Sequence, residues 1–136
     1  MRILLGLDGS ENSLRAAEYA ANLLEYFPDS TCTMVYVDTN TGNWQKAEIF
    51  EDVANDTVRE SLEKAQEVLN KRGLLYTTKV LYGTDIAGTL CRYAGEKHFD
   101  QIVLGTRGLS NIKGIVMGSV SHRVLQFAPC PVTFVK

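Results

Sequence analysis

The chain is poor in metal-ligating and cross-linking residues: two histidines and three cysteines in 136 positions. Cys32, Cys91 and Cys130 form no C-x-x-C pair, so a zinc centre of the Cys/His type is poorly supplied. Three thiols without framework spacing read as reduced, mostly buried cysteines of a reducing compartment. No apolar run approaches the ~20 residues of a membrane span. The first run, residues 3–7, is interrupted at Gly6 and is too short for the core of a signal peptide. The expectation is a cytoplasmic protein. Net charge is only −2, so bulk electrostatics points neither to nucleic acid nor to an anionic membrane. At ~150 residues per domain, residues 1–136 are expected to form one domain. A chain of this size buries ~68% of its unfolded surface and needs no disulfide or metal to hold it.

Charge is present but unevenly placed. Residues 1–68 hold 5 Lys/Arg against 13 Asp/Glu, and residues 69–136 hold 9 against 3. From residue 101 onward there are four bases, Arg107, Lys113, Arg123 and Lys136, and no carboxylate. The imbalance fits either partner surfaces or a local anion site in the last quarter.

Five short apolar runs alternate with helical patterns. Residues 3–7 form a near-continuous apolar run, which suits a strand buried on both faces. Ser10 is placed to cap a helix over residues 12–27, with Leu14, Ala17, Ala21 and Leu24 as its buried stripe. A β-branched run over residues 31–37 is followed by a polar loop, residues 38–43. A long helical pattern then extends from about residue 44 to residue 72. Val58, Leu62, Ala65 and Leu69 form its apolar face, and Gly73 stops it. A third strand is expected over residues 75–82, then a helix capped by Thr84. A fourth strand covers residues 101–104, a last helix starts near Ser119, and residues 132–135 form a fifth strand.

Strict alternation of strand and helix argues for an α/β fold: a five-stranded parallel sheet, Rossmann-like, with helices on both faces. Right-handed crossovers cover both faces only if the winding direction reverses, which gives the order 3-2-1-4-5. Ligands bind where it reverses, beyond the carboxyl ends of strands 1 and 4. The segments to read for chemistry are therefore Asp8-Gly9-Ser10 and the chain from Gly105 onward.

That second segment carries glycine at 105, 108, 114 and 118. Glycine lets backbone N–H groups approach a ligand with no Cβ in the way. Gly118-Ser119 opens the last helix, whose free N–H groups and dipole favour an anion. Arg107 and Lys113 add positive charge. The pattern fits a phosphate cradle, since a switch point is the usual ligand position; the alternative is a flexible surface loop with a helix cap. It is neither a Walker A loop nor a dinucleotide fingerprint, because Lys113 precedes no hydroxyl residue and strand 1 leads into no Gly-x-Gly-x-x-Gly.

Gly105-x-x-Gly108, nine residues, then Gly118-Ser119 resembles the nucleotide loop of the universal stress protein family, ATP-binding type. The resemblance runs from residues 3–10 to Pro129-Cys130-Pro131-Val132, the whole chain. It implies an adenine nucleotide, ATP or a relative, with Mg²⁺ or Mn²⁺ held through the phosphates and no protein metal site. It places Leu7 and Asp8 at the ribose region and the Val37 backbone at the base. Gly105, Arg107, Gly108, Gly118, Ser119, Val120 and Ser121 would surround ribose and phosphates. Two departures stand out: Gly6 where the family often has proline, and Tyr36 where it often has histidine. The implied role is a stress-response or signalling module with at most weak ATP hydrolysis.

Other residues take plainer readings. Asp8 also serves as a turn residue, and His122 and His98 suit solvated surfaces. Trp44 fits either the sheet edge or a cover over the base. Alternatives are a nucleotide-independent homodimeric interaction module and an adenylating enzyme. The latter is disfavoured because the loop after strand 1 is neither glycine/serine-rich nor His-x-x-His. A homodimer through strand 5 is expected, since residues 132–135 form an uncharged edge. Proline at Thr133 is expected to weaken that pairing.

Overall fold

The computed structural model describes residues 1–40, 56–106 and 118–136. In chain order the elements are β1 (Arg2–Leu7), α1 (Glu11–Tyr26), β2 (Thr31–Asp38), α2 (Asp56–Lys71), β3 (Thr77–Tyr82), α3 (Ile86–Glu96), β4 (Gln101–Gly105), α4 (Ser119–Phe127) and β5 (Val132–Val135). The strand order is β3-β2-β1-β4-β5 and every pairing is parallel. This is the doubly wound order expected from the alternation of elements.

β1 lies at the centre because its residues are apolar on both sides. Ile3, Leu4 and Leu5 are wholly buried. Ile3, Leu5 and Leu7 face α1 and α2, where they pack with Met34, Leu62 and Leu69. Leu4 faces the other way, with Val35, Ile102 and Leu104 against Leu90 and Ala94 of α3 and Val124 of α4. The two-residue period of a strand thus feeds two separate cores. α1 meets the sheet through a stripe of small residues, Ala16, Ala17, Ala20 and Ala21, which lets the helix lie close. Leu14, expected in that stripe, is only half-buried.

Local chemistry sets the element ends. Ser10 caps α1, its Oγ accepting from Ser13 N at 3.1 Å. Gly73, at φ 65°, ends α2. Leu74 N donates to Leu69 O and Gly73 N to Asn70 O, the paired bonds of a Schellman motif. That turn sends Leu74 into the core and leaves Leu75 90% exposed, so β3 begins at Thr77 rather than at residue 75. The cap of α3 is Asp85, not Thr84: its carboxylate accepts from Gly88 N at 3.1 Å and also pairs with Arg123 of α4 at 2.8 Å. A carboxylate is the stronger acceptor toward the positive end of a helix. The expected helix start near residue 44 lies outside the described residues.

Candidate functional site

A cavity of about 320 Å³ opens at the carboxyl ends of β1, β2 and β4, where the winding reverses. Seven of the sequence-selected residues line it: Leu7 and Asp8 after β1, Val37 on β2, Gly105 on β4, and Gly118, Val120 and Ser121 at the start of α4. Ser119 is exposed and does not line it. Arg107, Gly108, Lys113 and Trp44 lie outside the described residues. His122 and His98 are exposed, in keeping with their plainer readings.

The β1 side is shaped by a turn. Asp8 Oδ1 accepts from Ser10 N at 2.9 Å, and Gly9 takes φ 81°, which L side chains rarely adopt. Asp8 is thus a turn residue and a cavity residue at once. Ser13 lies at the base of the turn, buried, its Oγ donating to Ser10 O at 2.9 Å.

The β2 side is acidic. Asp38 is buried, with Oδ1 accepting from Asn40 N at 2.9 Å. Burial pushes the Tyr36 hydroxyl pKa up, and the nearby Asp38 and Asp8 push it further. Tyr82 is raised by burial and by Asp38. The aliphatic walls come from Val35, Val37, Ile86, Leu90 and Leu104.

The α4 side has the opposite character. Gly118, at φ −58° and ψ 157°, is the cap residue and makes no side-chain cap hydrogen bond. The first intrahelical bond is His122 N to Gly118 O, at 3.0 Å. The preceding N–H groups therefore have no partner in the helix, and no acidic residue occupies the first turn. The cavity lining combines carboxylate acceptors with the positive end of a helix dipole.

Two glycines have structural reasons that the sequence concealed. A Cβ at Gly105 would overlap backbone atoms of Asn12 and Ser13, so the first turn of α1 rests directly on β4. At Gly6 the space of a Cβ is filled by Leu104 Cδ2, from the neighbouring strand. The Gly6 departure therefore makes room for Leu104 in the cavity wall.

Sequence reasoning missed Asp38, Ser13, Ile86 and Leu90 as lining residues. Asp38 read as a loop start, although its place at the end of a central strand was a signal. Ile86 and Leu90 sit one turn apart on α3, facing the crevice from a helix read only for its core stripe. Among the described residues, the lining contains no histidine, lysine or arginine. No group of three or more His, Cys, Asp or Glu there could hold a metal. No helix among them is long and apolar enough to cross a membrane.

Fold and crevice together define the class, a doubly wound α/β domain with a ligand-sized cavity at its switch point. The sequence pattern of the Universal stress protein family matches residues 1–136, and the chain belongs to that family. A universal stress protein of Methanocaldococcus jannaschii is 31% identical over 99% of this chain and 81% of its own length. YxiE, a universal stress protein of Bacillus subtilis, is also 31% identical, over 99% and 98%. Among solved structures, the universal stress protein of Archaeoglobus fulgidus in complex with dAMP superposes with a TM-score of 0.76 at 22% identity, covering 100% of this chain and 98% of that one. A universal stress protein in complex with cAMP gives 0.77 at 23%, covering 100% and 97%. A family protein of Arabidopsis thaliana with AMP bound gives 0.72 at 20%, covering 100% and 90%. At these identities the structures show a shared fold.

Proposed function

We propose that the cavity binds an adenine nucleotide, ATP among them, and that the chain is a stress-response or signalling module with at most weak ATP hydrolysis. The observation that carries this reading is the uncapped start of α4 in the lining of the cavity that Asp8 also lines. Unpartnered N–H groups and a positive dipole end suit phosphate. The aliphatic wall of Val35, Val37 and Leu104 suits a flat base, and carboxylate acceptors at Asp8 and Asp38 suit hydroxyl and amine donors. A cavity of about 320 Å³ is in the range of small-molecule sites, ~300–1,000 Å³. The AMP, dAMP and cAMP complexes of proteins with the same fold support the ligand class. With Asp8 and Asp38 the only carboxylates among the described lining residues, Mg²⁺ or Mn²⁺ would be held mainly by phosphates and water. The backbone N–H groups at the start of α4 and the Ser121 hydroxyl would hold phosphate. Arg107 and Gly108 would complete that end. The same reading makes the protein a homodimer through β5.

Mass spectrometry of material released from the denatured protein, with calorimetry using ATP, ADP, AMP and cAMP, tests the reading. Binding of adenine nucleotides, with metal affinity only when nucleotide is present, is the expected result. An empty protein that ignores every added nucleotide overturns it in favour of a nucleotide-independent interaction module. Turnover near ~10 per second would point to an enzyme instead.

A further inference from the structure

Where the chain leaves β4 it is held from two sides. Thr106 N donates to Val135 O at 2.7 Å, and Thr106 Oγ1 donates to the same oxygen at 3.2 Å. Val135 ends β5, the edge strand of the sheet. From the other side, Asn12 Nδ2 donates to Thr106 O and lies 3.4 Å from Thr106 Oγ1. The orientation of the Asn12 amide follows from its neighbour: Oδ1 accepts from Arg15 Nη1 at 3.1 Å, and a guanidinium can only donate. Gly105 lets this happen, because the backbone of Asn12 and Ser13 occupies the space of its missing side chain. The first turn of α1, the exit of β4 and the end of β5 are thus one hydrogen-bonded unit. Two of its members, Ser13 and Gly105, line the cavity.

We infer that Asn12 is a positioning residue that fixes the Thr106 carbonyl and so couples the nucleotide cavity to the β5 edge. This rests on the nucleotide-binding and dimer readings above. Holding the Thr106 carbonyl oxygen limits rotation of the backbone at Thr106, the immediate neighbour of the cavity-lining Gly105. Only a donor does this. The change Asn12→Asp would set a carboxylate against the Thr106 carbonyl and repel it; Asn12→Ala would leave the carbonyl unheld. Because Val135 O accepts from Thr106, a change in how Thr106 sits is felt at the edge strand, and the reverse. With one nucleotide site per protomer, linkage then requires that saturating nucleotide shift the dimer constant by the square of the factor by which dimerisation shifts each site's nucleotide affinity.

The test measures two constants on the full chain. One is ATP affinity, by calorimetry. The other is the dimer dissociation constant with and without saturating ATP, by sedimentation over a dilution series. For the wild type, ATP is expected to shift the dimer constant by about 5-fold or more, the lower end of typical couplings. Asn12→Ala should bind ATP several-fold more weakly, and the shift in its dimer constant should vanish; Asn12→Asp should be worse than alanine. A merely structural asparagine would change unfolding without touching the coupling. If either variant fails to fold, Thr106→Val keeps the N–H bond to Val135, loses the hydroxyl, and should show a milder loss of coupling. Wild-type protein that binds ATP and dimerises with no shift overturns the inference, as do variants that keep the shift. A wild type that binds no nucleotide overturns the functional reading itself, and a monomeric one overturns the coupling; the two constants separate these outcomes.

Discussion

Two glycines separate what looks alike in the sequence. At Gly105 an added methyl meets backbone of Asn12 and Ser13, which cannot rotate away. Gly105→Ala must therefore pry α1 from β4, and overpacking of that kind costs ~1–3 kcal/mol. Urea unfolding is expected to show the loss. At Gly6 the methyl meets the tip of a leucine, and the open space beside Leu104 is the cavity. Gly6→Ala should cost less stability, yet weaken nucleotide binding as Leu104 swings inward; calorimetry at matched fold stability checks this contrast. Glycine content was legible in the sequence, but close approach was not, because the neighbours belong to elements far away along the chain. A third residue gives a pH signature. Burial pushes the Cys32 thiol up to about 12 from an ordinary 9.0, so the folded state holds its proton longer than the unfolded chain. Stability from this group is complete below about pH 9 and declines as pH rises toward 12, at up to ~1.4 kcal/mol per pH unit. Thermal melts from pH 8 upward should fall less steeply for Cys32→Ala than for the wild type; parallel curves would contradict the assignment.

At the scale of elements, the start of α4 decides the site. Its cap residue is Gly118 at φ −58°, an ordinary value, so the backbone does not require glycine there. Gly118→Val should fold normally. A β-branched side chain at that point nevertheless occupies the space where an anion would meet the free N–H groups. Nucleotide binding is expected to be lost while the circular dichroism spectrum and unfolding midpoint stay near wild type; unchanged ATP affinity would remove α4 from the site. Sequence periodicity identified all nine described elements, because each strand is a short apolar run and each helix carries a stripe. Element ends were less legible. Thr84 and Asp85 are both cap-forming types, and only the contact with Arg123, 38 residues on, adds to the advantage of the carboxylate. Residue 75 looked like strand because leucine is apolar, whereas the Gly73 turn directs it outward. On the cavity side, Asp8 and Gly105 were found from the switch-point rule, Val37 came only from the family resemblance, and Asp38 was missed. Ile86 and Leu90 needed the packing of α3 against β2.

For the whole molecule, assembly turns on the sheet edge. β3 and β5 terminate the sheet, and β5 carries no charge before Lys136. Unpaired N–H and C=O groups along such a strand invite a second copy, giving an isologous continuation of the sheet. The hydrogen bonds say which residues face outward. Pro131 O and Val135 O accept from Ile102 N and Thr106 N, so both point toward β4. Alternation along the strand then turns Thr133 toward β4 as well, and Val132 and Phe134 toward the open edge. Proline at Thr133, the substitution suggested by sequence alone, therefore removes a donor from the β4–β5 ladder and not from the edge. Thr133→Pro should destabilise the monomer, and it also loses the Gln101 Nε2 bond to Thr133 Oγ1, 2.6 Å. Val132→Pro instead removes an outward N–H at the first strand position, where proline is tolerated. It should leave the urea midpoint close to wild type and weaken the dimer. Light scattering on the wild type at tens of micromolar, roughly the range in which a stable pair persists, is expected to give twice the chain mass, with Val132→Pro shifted toward one. A wild-type monomer at that concentration would mean that the edge is left open, and the coupling between nucleotide and β5 would fall with it.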